Sequence, residues 1–179
     1  MALIPYADED PRDERVEALL ARLPEPRINL FRMLANAPAL IGPTLRLGEA
    51  ILTKAELDPK LRELVILRVA RVTGSEYEWV QHERIARLVG LKDDEIAGVQ
   101  GDQRAALRLV DAVLGGATPP AELVAEVDRE LGRAQLLEVL LTAGYYAMLG
   151  GMMRAVRLDV DDVLEKGMLD SERLGGREP

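Results

Sequence analysis

The sequence predicts an all-α fold, and three observations carry that reading. Apolar residues recur at three- and four-residue spacing in one segment after another, as core-facing helices require. The segments are separated by helix punctuation, namely Asp58-Pro59, Gly74-Ser75, Gly90, Gly115-Gly116 and Thr118-Pro119-Pro120. The run Leu61–Val72 has enough β-branched residues to suggest a strand. Its length, the cap before it and the charges at Arg62, Glu63, Arg68 and Arg71 favour a helix instead.

Arg12–Leu23 reads as an amphipathic opening helix, ended by the rigid turn Pro24-Glu25-Pro26. Asn29 suits the cap of a short helix over Leu30–Ala35. Pro38 suits the first turn of the next, which runs towards Lys54 and has Pro43 near enough its start to be tolerated or to kink it. Asp58 offers a capping oxygen and Pro59 needs no backbone donor, so the helix carrying Glu63 starts here. Apolar residues occupy most of its circumference, which predicts central burial. Gly74 ends it, Ser75 caps the following helix, and Gly90 closes that one.

Lys92–Val99 is a short helix with Asp93, Asp94 and Glu95 in its early turns, where the helix dipole favours acids. Asp102–Leu114 follows, then a polar-faced helix over Glu122–Leu131 and a strongly apolar one over Arg133–Val156. Within the last, Gly144 and Gly150-Gly151 permit close approach of a neighbouring backbone, and Met148, Met152 and Met153 read as adaptable packing. The expected organisation is an N-terminal helical arm over 1–28, one helical domain over 29–168 and a loose tail over 169–179.

Composition narrows the chemistry. The chain has 179 residues, enough to bury one substantial core, and no cysteine, which removes disulfides, thiolate metal sites and thiol peroxidase cycles. A net charge of −8 argues against nucleic acid or an anionic membrane as partner. The first residues have neither the basic start nor the apolar core of a secretory signal, and the apolar stretches read as shorter than a membrane span, so a cytoplasmic protein is expected.

The segment from Glu63 to His82 concentrates the candidate chemistry. Ser75, Glu78 and the single histidine His82 lie three and four residues apart, so a helix stacks them on one face. Glu63 sits on the preceding, buried helix and needs a donor there, for which His82, Arg68, Arg71 or a backbone amide are candidates. A bland reading competes for two of these residues, since Ser75 and Glu78 also fit a Ser-x-x-Glu capping box.

The stretch from Leu30 to Val156 resembles the carboxymuconolactone decarboxylase and alkylhydroperoxidase D-like superfamily. The resemblance rests on Leu-Asp-Pro-x-x-Arg-Glu-Leu-Val-Ile-Leu-Arg-Val-Ala at 57–70, Glu-Tyr-Glu-Trp-x-Gln-His at 76–82 and Gly-Leu-x-x-x-Glu-Ile at 90–96. It implies an alkylhydroperoxidase D-like helical bundle and homo-oligomers. In the peroxidase-like branch, a glutamate, a Cys-x-x-Cys pair and a histidine form a thiol redox centre, and the matching positions here are Glu63, Ser75, Glu78 and His82. Serine and glutamate cannot form a sulfenic acid or a disulfide, so that cycle cannot run in this chain.

The decarboxylase branch dispenses with the cysteine pair and needs no cofactor, which the resemblance carries over as an expectation of no cofactor and no metal. The reading that follows is a lyase or isomerase acting on a small organic acid, lactone or enolisable carbonyl compound, with His82 as general acid/base and Glu63 and Glu78 orienting or tuning it. Ser75, Arg68, Arg71 and Tyr145 are the candidate substrate-binding residues. Two alternatives stand beside it. One is a non-catalytic oligomeric protein that binds a small ligand, distinguished by a sealed network in place of a cavity. The other is a metal bound by Glu63, Glu78 and His82.

Overall fold

The computed structural model describes residues 1–9, 14–23 and 27–161, and among these every regular element is helical. The helices are α1 (Glu14–Leu20), α2 (Asn29–Leu34), α3 (Pro38–Thr53), α4 (Pro59–Thr73), α5 (Glu76–Leu88), α6 (Asp93–Gly98), α7 (Ala105–Leu114) and α8 (Ala121–Val156), with a 3₁₀ turn at Val99–Gly101. The expected helix start at Arg12, the turn at 24–26 and the tail over 169–179 lie outside the described residues.

Helix α4 is the axis of the molecule. Leu64, Val65, Ile66, Leu67 and Val69 have no exposed surface, and α5, α7 and α8 pack around them. The all-round apolar pattern of the sequence therefore becomes all-round burial. Both ends of α4 form as their residues require: the Asp58 carboxylate accepts from the amides of Lys60 and Leu61, each at 3.0 Å, and Gly74 takes a left-handed φ of 68°. That turn folds α5 back onto α4.

The two segments expected over Glu122–Leu131 and Arg133–Val156 are the two arms of α8, separated at Gly132, whose φ of 81° and ψ of 164° are not helical. The first arm packs with α7 through Val127, Leu109 and Ala105. The second crosses α4 and carries Val139, Ala143, Tyr146, Leu149 and Met153 into the main core. The apolar stretch of α8 is longer than the sequence reading allowed. An 18-residue stretch of α8 has a mean hydropathy of 1.4, enough by length and composition to cross a membrane, yet half of it is buried against other helices, as in a core helix.

Three local expectations need correction. Asn29 is the first residue of α2 rather than its cap; its amide donates to Asp161 Oδ1 at 2.8 Å and its side chain donates to the Asp159 carbonyl. Helix α7 starts at Ala105, because Asp102 is extended and its carboxylate accepts from the Arg104 amide at 2.9 Å. Helix α1 ends at Leu20, after which single turns carry the chain to Leu23.

Candidate active site

The site is built where α4, α5 and the second arm of α8 meet. Glu63 comes from the second turn of α4 and has no exposed surface. Its Oε1 accepts from Arg62 Nε at 2.8 Å and its Oε2 lies 2.8 Å from His82 Nδ1 on α5. Arg62 is anchored in turn by donating through Nη1 to the Leu52 carbonyl at 2.8 Å. A carboxylate accepts, so the Glu63 side chain takes the hydrogen bond from Nδ1 and leaves Nε2 as the ring nitrogen that Glu63 does not engage. The His82 ring is held edge-on to Tyr146 of α8, with centroids 4.8 Å apart and an interplanar angle of 88°.

Glu78 lies one turn before His82 and is served quite differently. Only 2% of it is exposed, and among the described residues neither carboxylate oxygen has a hydrogen-bond partner. Burial pushes its carboxyl up to about 8, opposed only in part by the Ser75 hydroxyl, so the group is largely protonated at neutral pH. The capping-box reading is half correct. Ser75 does cap α5, accepting from the Glu78 amide at 3.5 Å, while the Ser75 amide donates to Ala70 and the Glu78 carboxyl takes no part. Gln81, three residues on, is also buried with both side-chain polar atoms unpartnered.

Helix α8 closes the far wall. A Cβ at Gly150 would stand 2.7 Å from Glu78 Oε2 and 3.2 Å from Ser75 Cβ, so only glycine leaves the carboxyl its space. Burial and then the Glu63 carboxylate hold the Tyr146 hydroxyl well above its ordinary range. Tyr145 packs edge-on against Tyr146 at 5.2 Å and donates to the Thr44 carbonyl at 3.1 Å; burial, then the charge of Glu78, push it up to about 12.

Two cavities of about 370 Å³ flank the start of α5 and share Gly74, Ser75 and Glu76. One extends along Met153, Arg154 and Arg157, the other along Arg71 and Trp79. Ser75 lines both, whereas Glu63, Glu78 and His82 line neither, so Ser75 is the wall between open space and the buried carboxyl.

The sequence-predicted residues therefore divide. Glu63 and His82 bond directly, and Ser75, Glu78 and Tyr145 are brought close to them. Arg68 is not. It leaves the opposite side of α4, where its guanidinium donates to Asp111 at 2.8 Å and to the Asp102 carbonyl at 2.9 Å and also bonds the Val99 carbonyl. That buried strut to α7 leaves nothing for a substrate at the site. Arg71 reaches the rim, stacked 3.5 Å above the Trp79 ring in the second cavity. Among the described residues no three His, Asp or Glu side chains are grouped as a metal site needs, and Glu63, Glu78 and His82 do not form such a group.

Arg62, Gln81 and Tyr146 were not among the site residues that the sequence predicted, and Gly150 was read there only as permitting close approach of a neighbouring backbone. Arg62 was hidden because adjacent helix positions do not face each other, and only its length lets it fold back onto Glu63. Gln81 could have been found, since it stands three residues after Glu78 inside the same motif.

Comparison with known families agrees with this geometry. Residues 38–119, from the start of α3 to just before α8, match the model of the carboxymuconolactone decarboxylase family, whose fold is alkylhydroperoxidase-like and helical. The match includes Arg62, Glu63, Ser75, Glu78, Gln81 and His82 and ends before the tyrosines and Gly150 of α8. No curated protein matches the chain.

Proposed function

We propose that this chain, which belongs to the carboxymuconolactone decarboxylase family over residues 38–119, is a cofactor-independent acid/base enzyme: a lyase or isomerase for a small organic acid, lactone or enolisable carbonyl compound. The observation that carries the reading is the contrast inside one cluster. A histidine oriented by a carboxylate, 2.8 Å away, neighbours a second carboxyl that burial pushes up to about 8. On this reading the histidine is the group that takes a proton and Glu78 the one that gives it.

In a decarboxylation, the bond to the departing carboxylate breaks and its electron pair moves into the conjugated carbonyl. The enolate so formed is quenched when a proton is delivered to carbon. Protonated Glu78 is the donor on this reading, and a proton taken from water, relayed through His82 Nε2, restores it for the next turnover. In an isomerisation the same pair removes a proton and replaces it at another carbon. The Ser75 hydroxyl and the exposed Arg71 guanidinium, both on the cavity walls, are the groups that would hold a substrate carboxylate or lactone oxygen. A thiol peroxidase cycle is excluded because the chain has no cysteine.

The test is a pH-resolved screen of small lactones and enolisable acids, run beside His82→Gln. Turnover is expected to fall by at least about 10²-fold, the usual contribution of a positioned acid/base group, with helicity unchanged. Near-normal turnover in the variant overturns the reading. A second reading, a non-catalytic small-ligand protein, is favoured by one observation, that Glu63, Glu78 and His82 line neither cavity. Binding without turnover, undiminished by His82→Gln, would select it.

A further inference from the structure

The cavity that runs along Met153, Arg154 and Arg157 is not used by the acid/base cluster. It lies between the start of α5 and the end of α8. Its volume of about 370 Å³ is at the small end of the range of about 300–1,000 Å³ usual for ligand sites. The buried side chains of Met153 and Leu158, with Val160 beside them, give it an apolar lining, and the two arginines give it charge.

Arg157 occupies its place against the preference of the backbone. It ends α8 in a left-handed turn, with φ and ψ both 53°, closed by the Leu158 amide donating to the Met153 carbonyl at 2.9 Å. Glycine is usual at that position, because a Cβ there crowds the following carbonyl. Among the described residues Arg157 is the only one other than glycine with a positive φ. The helix dipole does not account for it, since Arg154 already puts a cation in the last turn of α8. Yet the Arg157 side chain has no hydrogen-bond or ion-pair partner among the described residues. Arg154 is pinned by a bond from Nη1 to the Thr73 carbonyl and likewise has no acidic partner there.

The wall formed by α5 also offers donors. Ser75 is 2% exposed and lines the cavity. Its Oγ accepts from the Glu78 amide at 3.5 Å, but among the described residues its own proton reaches no acceptor, the Glu78 oxygens included. The amides of Glu76 and Tyr77 follow in the first helical turn, where no intrahelical acceptor exists. Two carboxylates share the cavity. That of Asp159 is occupied, accepting from the Tyr6 hydroxyl and the Ala2 amide, each at 3.0 Å. That of Glu76 is exposed at a helix start, where the dipole favours it.

We propose that this cavity binds a small monocarboxylate with an apolar body, its carboxylate held by Arg157, Arg154 and the Ser75 hydroxyl and its body laid on Met153 and Leu158. A guanidinium gives a carboxylate two parallel hydrogen bonds, which a fixed arginine makes specific. A cation would meet two guanidinium groups, and inorganic phosphate would leave the apolar lining unused. Binding of this kind involves no proton transfer, and the cavity does not include Arg71, so the inference stands whether or not His82 turns over a substrate.

The experiment titrates the full chain with hexanoate by isothermal calorimetry. Hexanamide has the same shape without the charge, and inorganic phosphate has charge without the apolar body. Hexanoate is expected to bind at least about ten-fold more tightly than either, as a charge-assisted hydrogen bond supplies. Arg157→Gly removes the guanidinium and suits the left-handed turn, so hexanoate should weaken about ten-fold while resistance to urea stays equal or rises. Arg157→Lys, which keeps the charge and loses the fork, should fall between. Arg71→Gln should leave hexanoate binding unchanged. The titration does not read turnover, so its failure and a failure of the lactone screen are told apart. Absence of hexanoate binding, hexanamide or phosphate bound as tightly, undiminished affinity in Arg157→Gly, or a larger loss in Arg71→Gln would overturn the proposal.

Discussion

Glu63 on α4 and Glu78 on α5 are almost equally hidden from water, at 0% and 2% exposure. Glu63 is served on both oxygens, by Arg62 and His82, whereas Glu78 is served on neither. Burial alone therefore does not decide what a carboxyl can do. A buried carboxylate with complementary donors is fixed in charge and position, and it fixes its neighbours. One without them escapes the cost of a buried charge by keeping its proton, which leaves it ready to give that proton up. On the proposed reading, the first half of the cluster is a positioning device and the second half a proton reservoir.

The sharpest way to break the comparison is to remove the served carboxylate. Glu63→Leu removes the carboxylate that the Arg62 guanidinium, only 3% exposed, and the His82 ring both bond. A stability loss of about 3–5 kcal/mol is expected, as for other buried pairs deprived of one partner, measured by urea unfolding. A loss below about 1 kcal/mol, the value typical of an exposed pair, would show that Arg62 finds another acceptor and that Glu63 is not the anchor.

The reservoir has a pH signature of known sign. Its carboxyl titrates at about 8 in the folded chain against an ordinary 4.5, so between those values the folded state binds more protons than the unfolded one. Stability then falls as pH rises from about 4.5 to 8, by up to a few kcal/mol. Glu78→Gln, which cannot ionise, should flatten that slope. Parallel stability–pH curves for the two proteins would mean that the carboxyl is ionised and partnered in solution.

These two halves were not equally legible in the sequence. The caps at Asp58-Pro59 and Gly74-Ser75 fix the hairpin that brings α4 and α5 together, and once they pair, Glu63 and His82 are the natural partners. The break in α8 was legible too, because a glycine separates a polar-faced segment from an apolar one. Direction was not legible on α4. A helix that is apolar all round has no polar stripe to show which way each charge points, so Arg68 and Arg62 could not be assigned to opposite sides. Nor could local spacing distinguish a capping carboxylate from an unpartnered one at Glu78, since that depends on Gly150, which arrives from a helix 72 residues later.

That glycine provides the mildest test. In Gly150→Ala the new methyl carbon would stand 2.7 Å from Glu78 Oε2 and 3.2 Å from both Ser75 Cβ and Thr73 Oγ1, so the carboxyl must move and the start of α5 must give. The neighbouring Gly151→Ala meets nothing within the protomer. A cost of about 1–2 kcal/mol is expected for the first, in the range of modest overpacking, and none or a slight gain in protomer stability for the second. The first variant should also change the Glu78 pH slope, because shifting the carboxyl changes its burial, while leaving the Glu63–His82 bond alone. If both alanines behave alike in unfolding and in pH slope, the space at Gly150 is not what keeps Glu78 unpartnered, and the division between the two halves of the site must have another cause.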